Sequence, residues 1–217
     1  MIDGLEQKDG FWYRPETSDL GAITDTRRIF RRDGAPELLD VVLDLGAHIG
    51  TFTGRALNAG AARVRAVEPA PENIKIFKLN VNDPRVELIE AAACVSETGE
   101  ETFYLNMAKG SDSHSLTQMR GRAPIKVSAV SLAELCIDFA PTYVKIDIEG
   151  GEYLLDIVES FPDSADRFFI EFHFQKKGHQ EQALQLKKQI MGDLGFSLVW
   201  GTNWTANAWW EEEMYRR

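Results

Sequence analysis

The stretch Val41-Val42-Leu43-Asp44-Leu45-Gly46-Ala47-His48-Ile49-Gly50-Thr51-Phe52 decides how this chain is read. An apolar run reaches an acid and then passes through two glycines into a helical pattern, the form of a buried strand turning into a helix. Gly46 and Gly50 would let the backbone approach a ligand more closely than a side chain permits. A dinucleotide-binding turn would carry Gly-x-Gly-x-x-Gly here, so that a pyrophosphate can rest on the helix N-terminus. His48 stands in place of the middle glycine. Asp44, ahead of the first glycine, suits a ligand that brings an amino group and no phosphate.

Working outward, strands are expected at 41–45, 63–67, 86–89, 143–148 and 168–172, alternating with helices. One helix opens at Pro71 with an apolar stripe at Ile74, Phe77 and Val81, and a later one buries Ala183, Leu186, Ile190 and Leu194. That alternation predicts an α/β, Rossmann-like domain with a mostly parallel sheet. Residues 96–130 break the rhythm with strand-like segments at 102–105 and 126–130 around a polar run. A polar loop from Lys109 to Arg122 is expected over the site and to order when ligand binds.

The second strand ends in Val67-Glu68-Pro69, eighteen residues past Gly50. A carboxylate there can accept both hydroxyls of a ribose. The fourth expected strand runs through Lys145 into Asp147-Ile148-Glu149-Gly150-Gly151-Glu152, placing Asp147 at the crevice beyond the strand ends. Glu171 and His173 lie two apart on the fifth and so share a face. His173 has the better unperturbed pKa for a general base; the plain alternative is that it caps its strand by bonding a neighbouring carbonyl. Asp147, Glu171 and His173 could also converge on magnesium or manganese, since carboxylates with one imidazole suit hard divalent ions. Charged strand ends that are merely solvated, or bonded to a cofactor, are the plain alternative.

These segments together resemble the FkbM-type methyltransferases over residues 41 to 173, through the first motif, Val67-Glu68-Pro69, Ala91-Ala92-Ala93 and Lys145-Ile146-Asp147-Ile148-Glu149-Gly150-Gly151-Glu152. The resemblance implies a class I methyltransferase fold, a seven-stranded sheet with an antiparallel last strand and helices on both faces. It implies S-adenosylmethionine as donor and O-methylation of a hydroxyl on a small molecule, natural product or glycan. Carried over by position, Asp44, Gly46, Ala47, His48 and Gly50 would hold the methionine portion, Glu68 and Pro69 the ribose side, and Ala91 and Ala92 the adenine edge. Asp147 would face the reacting methyl. Ser113, His114 and Ser115 resemble the family's Ser-rich segment, with His114 departing from it. Residues 1–40 match poorly and are expected to form an N-terminal cover on a 41–217 methyltransferase domain.

The 217 residues, 44% hydrophobic and 27% charged, suffice for one domain with a real core. A net charge of −10 argues against nucleic acid and anionic membrane as partners and for a small or neutral acceptor. Arg27, Arg28, Arg31 and Arg32 read as the solvated face of a short amphipathic helix. Cys94 and Cys136 lack metal-ligand spacing and read as buried, inert thiols. No signal peptide or membrane-spanning run is evident, so a cytoplasmic protein is expected. Phe11-Trp12-Tyr13 and Trp200, Trp204, Trp209 and Trp210 could stack on a flat acceptor, with core packing or a homo-oligomer contact the plainer reading. Two rivals stand beside the O-methyltransferase. One is an RNA ribose methyltransferase, disfavoured by the charge and by Lys145, expected in an edge position that neighbouring strands cover. The other is a non-catalytic module binding S-adenosylmethionine or a nucleoside.

Overall fold

The computed structural model describes residues 4–106, 114–118, 121–202 and 208–217. A hairpin of β1 (Glu6–Lys8) and β2 (Phe11–Tyr13) leads into α1 (Asp19–Ile29). The chain continues through β3 (Val41–Leu45), α2 (Thr51–Ala59), β4 (Arg63–Val67), α3 (Pro71–Asn80) and β5 (Val86–Ile89). Next come β6 (Ala92–Ala93), β7 (Glu100–Asn106), β8 (Arg122–Val130), α4 (Leu132–Cys136) and β9 (Tyr143–Ile146). Then follow α5 (Ile157–Ser160), β10 (Arg167–His173), α6 (His179–Gly192), β11 (Ser197–Gly201) and β12 (Trp210–Arg216). Among the described residues no helix is long and apolar enough to cross a membrane.

Seven strands form one sheet in the order β11-β12-β10-β9-β3-β4-β5, with β12 antiparallel to both neighbours and the other pairs parallel. Both faces are covered, so the central strands are apolar almost throughout, as parallel sheets require. Leu43, Leu45, Val144, Ile146, Phe168, Ile170 and Phe172 point into one core. Val42, Tyr143 and Phe169 point into the other, against Phe52 and Ala56 of α2. In α3 the expected stripe is buried at Ile74 and Phe77, and in α6 at Ala183 and Ile190. Leu194 falls beyond the end of α6.

The strand expected to reach residue 148 ends at Ile146. Asp147 still donates its N–H to Leu45, but the chain then turns through Glu149 (φ 54°) and Gly150 (φ 87°), which no strand can accommodate. The rhythm break at 96–130 is a second sheet, β6-β8-β7, in which β7 and β8 run antiparallel over longer spans than expected. Of the expected polar loop, residues 109–113, 119 and 120 lie outside the described residues.

The arginine cluster is not the wholly solvated face expected of it. Arg28 forms an ion pair with Glu212, and Arg32 lies 4.4 Å from the Trp200 ring centre, because β11 and β12 close against the end of α1. Burial pushes the thiols of both Cys94 and Cys136 up to about 11, so both stay protonated and unreactive at neutral pH. Cys94 is buried and Cys136 half-buried.

Candidate active site

The β-strands β3, β4, β9 and β10 end together, and a cleft of about 260 Å³ opens over their carboxyl ends. This is where open α/β sheets bind ligands, because the connecting turns diverge there. α1 roofs the cleft with Ser18, Gly21, Ala22 and Asp25, while Phe103 of β7, His114 and Leu116 close one side. The roof is pinned by Asp19, which is fully buried. Arg14 joins it with two side-chain hydrogen bonds and reaches Asn73 of α3 at 2.7 Å, and His48 Nε2 lies 3.4 Å from its carboxylate.

At one end the walls are Gly46, Ala47 and His48 from the β3–α2 turn, Glu68 and Pro69 after β4, and Ala91 and Ala92 after β5. Glu68 is 5% exposed, and burial pushes its carboxyl above the usual carboxylate range. It accepts from His48 N (2.9 Å), Ala70 N (2.9 Å) and Asn73 Nδ2 (3.1 Å). A carboxylate offers about four acceptor positions, so three are taken and room remains for one ribose hydroxyl, whereas the sequence suggested two.

Asp44 and Gly50, placed in the ligand turn by sequence, do not line the cleft. Asp44 is fully buried behind the wall, accepting from Thr53 Oγ1 at 2.7 Å and facing Lys145 Nζ at 3.2 Å. Gly50 (φ 85°) is glycine for packing: a Cβ there would come within 2.8 Å of Val81 and 2.9 Å of Phe77. Gly46 (φ 79°) does line the cleft, yet its own constraint is the main chain of the neighbouring turn, since a Cβ would lie 1.8 Å from the carbonyl oxygen of Asp147.

Lys145 corrects a second expectation. β9 is a central strand between β3 and β10, not an edge, and Lys145 reaches the cleft wall. Strand alternation gave its face but not the place of its strand in the sheet. Its ammonium is held by Asp44, by Asp147 at 3.4 Å and by the Gly46 carbonyl at 2.7 Å.

The opposite end is acidic: Asp147, Glu149, Glu171, Glu212 and, from the roof, Asp25. Burial and the neighbouring Asp147, Glu212 and Glu149 push the Glu171 carboxyl well above its ordinary range. His173 sits behind these acids, 6% exposed and off the cleft surface. Burial disfavours a charged ring, but Glu149, Glu152 and Glu171 outweigh it and hold the imidazole well above its usual pKa. Expected as a general base, His173 does not itself line the cleft. Nor does the ring cap its strand on a carbonyl: Nδ1 faces the buried carboxylate of Glu152 at 3.3 Å. One ligand atom from each of Asp147, Glu171 and His173 lies within 4.8 Å of the others.

Three contributors escaped the sequence reading. Glu149 and Glu152 stood in a quoted string without a role, and Glu212 lay in Glu211-Glu212-Glu213, which reads as a solvated acid run. Glu211, Glu212 and Glu213 are instead all buried, because β12 lies between two strands. Ser115, expected in a substrate loop, is fully buried and donates its hydroxyl to the Glu149 carbonyl, fixing the turn after β9. His114 lines the cleft, and Ser113 lies outside the described residues. None of Phe11, Trp12, Tyr13, Trp200, Trp209 or Trp210 lines it, and Trp204 is outside the described residues.

No curated protein matches the sequence. Among solved structures, the precorrin 8w decarboxylase of Methanobacterium thermoautotrophicum is 14% identical with a TM-score of 0.54, covering 98% of this chain and 99% of its own. M. jannaschii TYW2, solved in complex with AdoMet, is 17% identical with a TM-score of 0.52, covering 98% of this chain and 85% of its own. At these identities the likeness is one of fold, and the fold is the class I methyltransferase sheet. Residues 44–198, most of the chain, match the methyltransferase FkbM domain. The chain therefore belongs to the FkbM family of S-adenosylmethionine-dependent methyltransferases.

Proposed function

We propose that this methyltransferase places a methyl group on a hydroxyl oxygen of a small molecule, natural product or glycan. S-adenosylmethionine would lie with its nucleoside against Glu68, Pro69, Ala91 and Ala92 and its sulfonium toward Asp147. The acceptor would occupy the acidic end. The observation that carries this reading is the composition of that end, five carboxylates on a short roofed cleft. Carboxylate oxygens accept hydrogen bonds from hydroxyls and orient them. The same wall repels a phosphate backbone, and Lys145, the lysine that an RNA-modifying reading would call on, is neutralised by Asp44 and Asp147. Methyl transfer to oxygen chiefly needs a short, in-line approach to the sulfonium, which such orientation supplies.

The test is incubation with donor carrying a trideuterated methyl group, against hydroxylated small molecules, oligosaccharides and RNA, with products resolved by mass spectrometry. Label on an oxygen of a small molecule or glycan is the expected result. Label on nitrogen, on carbon or on RNA would overturn the acceptor assignment.

A further inference from the structure

We propose that Asp147, Glu149, Glu171 and His173 form a binding site for a divalent cation of the magnesium and manganese class at the acceptor end of the cleft. The inference rests on the reading of that end as the acceptor site, although the site itself is defined by geometry alone. His173 Nε2 lies 3.5 Å from Glu149 Oε2, 3.5 Å from Glu171 Oε1 and 4.0 Å from Asp147 Oδ1, so one imidazole nitrogen faces three carboxylates. Ligands on opposite sides of a magnesium-sized ion are about 4.2 Å apart. The 4.8 Å spread of Asp147, Glu171 and His173 therefore closes on such an ion with little movement.

The surroundings are arranged as a ligand set needs. Glu152 is fully buried and accepts from both the backbone N–H (2.5 Å) and Nδ1 (3.3 Å) of His173, aiming Nε2 at the acids. A carboxylate behind a ligating histidine is the usual way its ring is oriented toward a metal. Glu149 holds a left-handed backbone (φ 54°), kept there by the Ser115 hydroxyl, and Gln175 Nε2 steadies its carboxylate at 3.1 Å.

A separate observation also calls for a cation. Glu212 stands opposite Glu171 in the β10–β12 register, is 1% exposed and lines the cleft. Its Oε2 has no hydrogen-bond partner among the described residues. A buried carboxylate oxygen left without a donor is costly. Among the described residues, Lys145 and Arg28 form ion pairs with Asp147, Glu212 and Asp25; neither Glu149 nor Glu171 forms a salt bridge with a lysine or arginine, and Arg122 acts on Glu149 only at longer range. Oxygen ligands with a single imidazole select a hard ion. Bound there, it would take the acceptor hydroxyl as a ligand and acidify it. The proton would leave to solvent as the oxygen bonds the methyl carbon and the carbon–sulfur bond breaks, releasing the neutral thioether.

The test is a Mn2+ titration followed by electron paramagnetic resonance on the full chain, with neither donor nor acceptor present. Wild type should take up one Mn2+ per chain, and its thermal midpoint should rise with MnCl2 but not with NaCl at equal ionic strength. Glu171→Gln and Asp147→Asn should each weaken Mn2+ at least about tenfold, while Glu90→Gln, an exposed control on Lys78, should not. Both site variants remove one of several mutually repelling charges, so they are expected to fold. No Mn2+ uptake up to millimolar concentration, or uptake equal in wild type and both site variants, would overturn the site. Failure to bind donor would instead overturn the cofactor reading, and the metal result would stand.

Discussion

Replacing Lys145 by methionine should destabilise the protein by about 3–5 kcal/mol, the usual cost of breaking a buried ion pair from one side. Asp44 is fully buried with the ammonium at 3.2 Å, and Lys145 itself is 3% exposed. Methionine fills most of the lysine stem, so packing changes little and the loss is chiefly electrostatic. In a domain of this size the thermal midpoint should fall on the order of 10 °C. The double variant Asp44→Asn with Lys145→Met should recover much of this, because removing both charges leaves none stranded. Calorimetric unfolding of the three variants checks it. A single variant within about 1 kcal/mol of wild type would mean that Asp44 is not held by this pair.

The second large effect is on catalysis. Asp147→Asn should reduce methyl transfer by about 10²- to 10⁴-fold, the range for losing a group that handles a proton or charge at the reacting centre. The assay uses the acceptor that the labelled-donor experiment identifies. Asp147 is the acid beyond the end of β9, lines the cleft and presents a side chain that is one-third exposed. Asparagine keeps its shape, and Lys145 keeps Asp44 as partner, so donor affinity should stay within about threefold. Wild-type turnover in the variant would mean that orientation alone carries the reaction.

The five parallel strands were legible because each is a short, apolar-rich run; four of them lie inside the sheet, and β5 forms its half-buried edge. The Gly46 turn, Glu68 and Asp147 were legible because strand ends in such a sheet fall on one edge. The roof was not. α1 shows Arg27 and Arg28 in its last turn, and only the tertiary contacts of Asp19 with Arg14 and His48 place its other face over the cleft. Lys145 was misread because periodicity assigns a face while strand order is set by the crossovers. The setting of His173 was only half legible: Glu171 shares its strand, but Glu149 and Glu152 reach it from the turn after β9. Glu212 comes from β12, far along the chain, and its burial depends on β11 covering the other edge of that strand.

The central claim is that the Gly46–Glu68–Ala92 end of the cleft binds the methyl donor. Calorimetric titration of wild type and Glu68→Ala with S-adenosylhomocysteine tests it without any knowledge of the acceptor. One site per chain is expected in wild type. The affinity should drop about 10- to 150-fold in the variant, equivalent to the roughly 1.5–3 kcal/mol of a hydrogen bond to a charged group. No binding to folded wild type, or equal affinity in both proteins, would contradict the account.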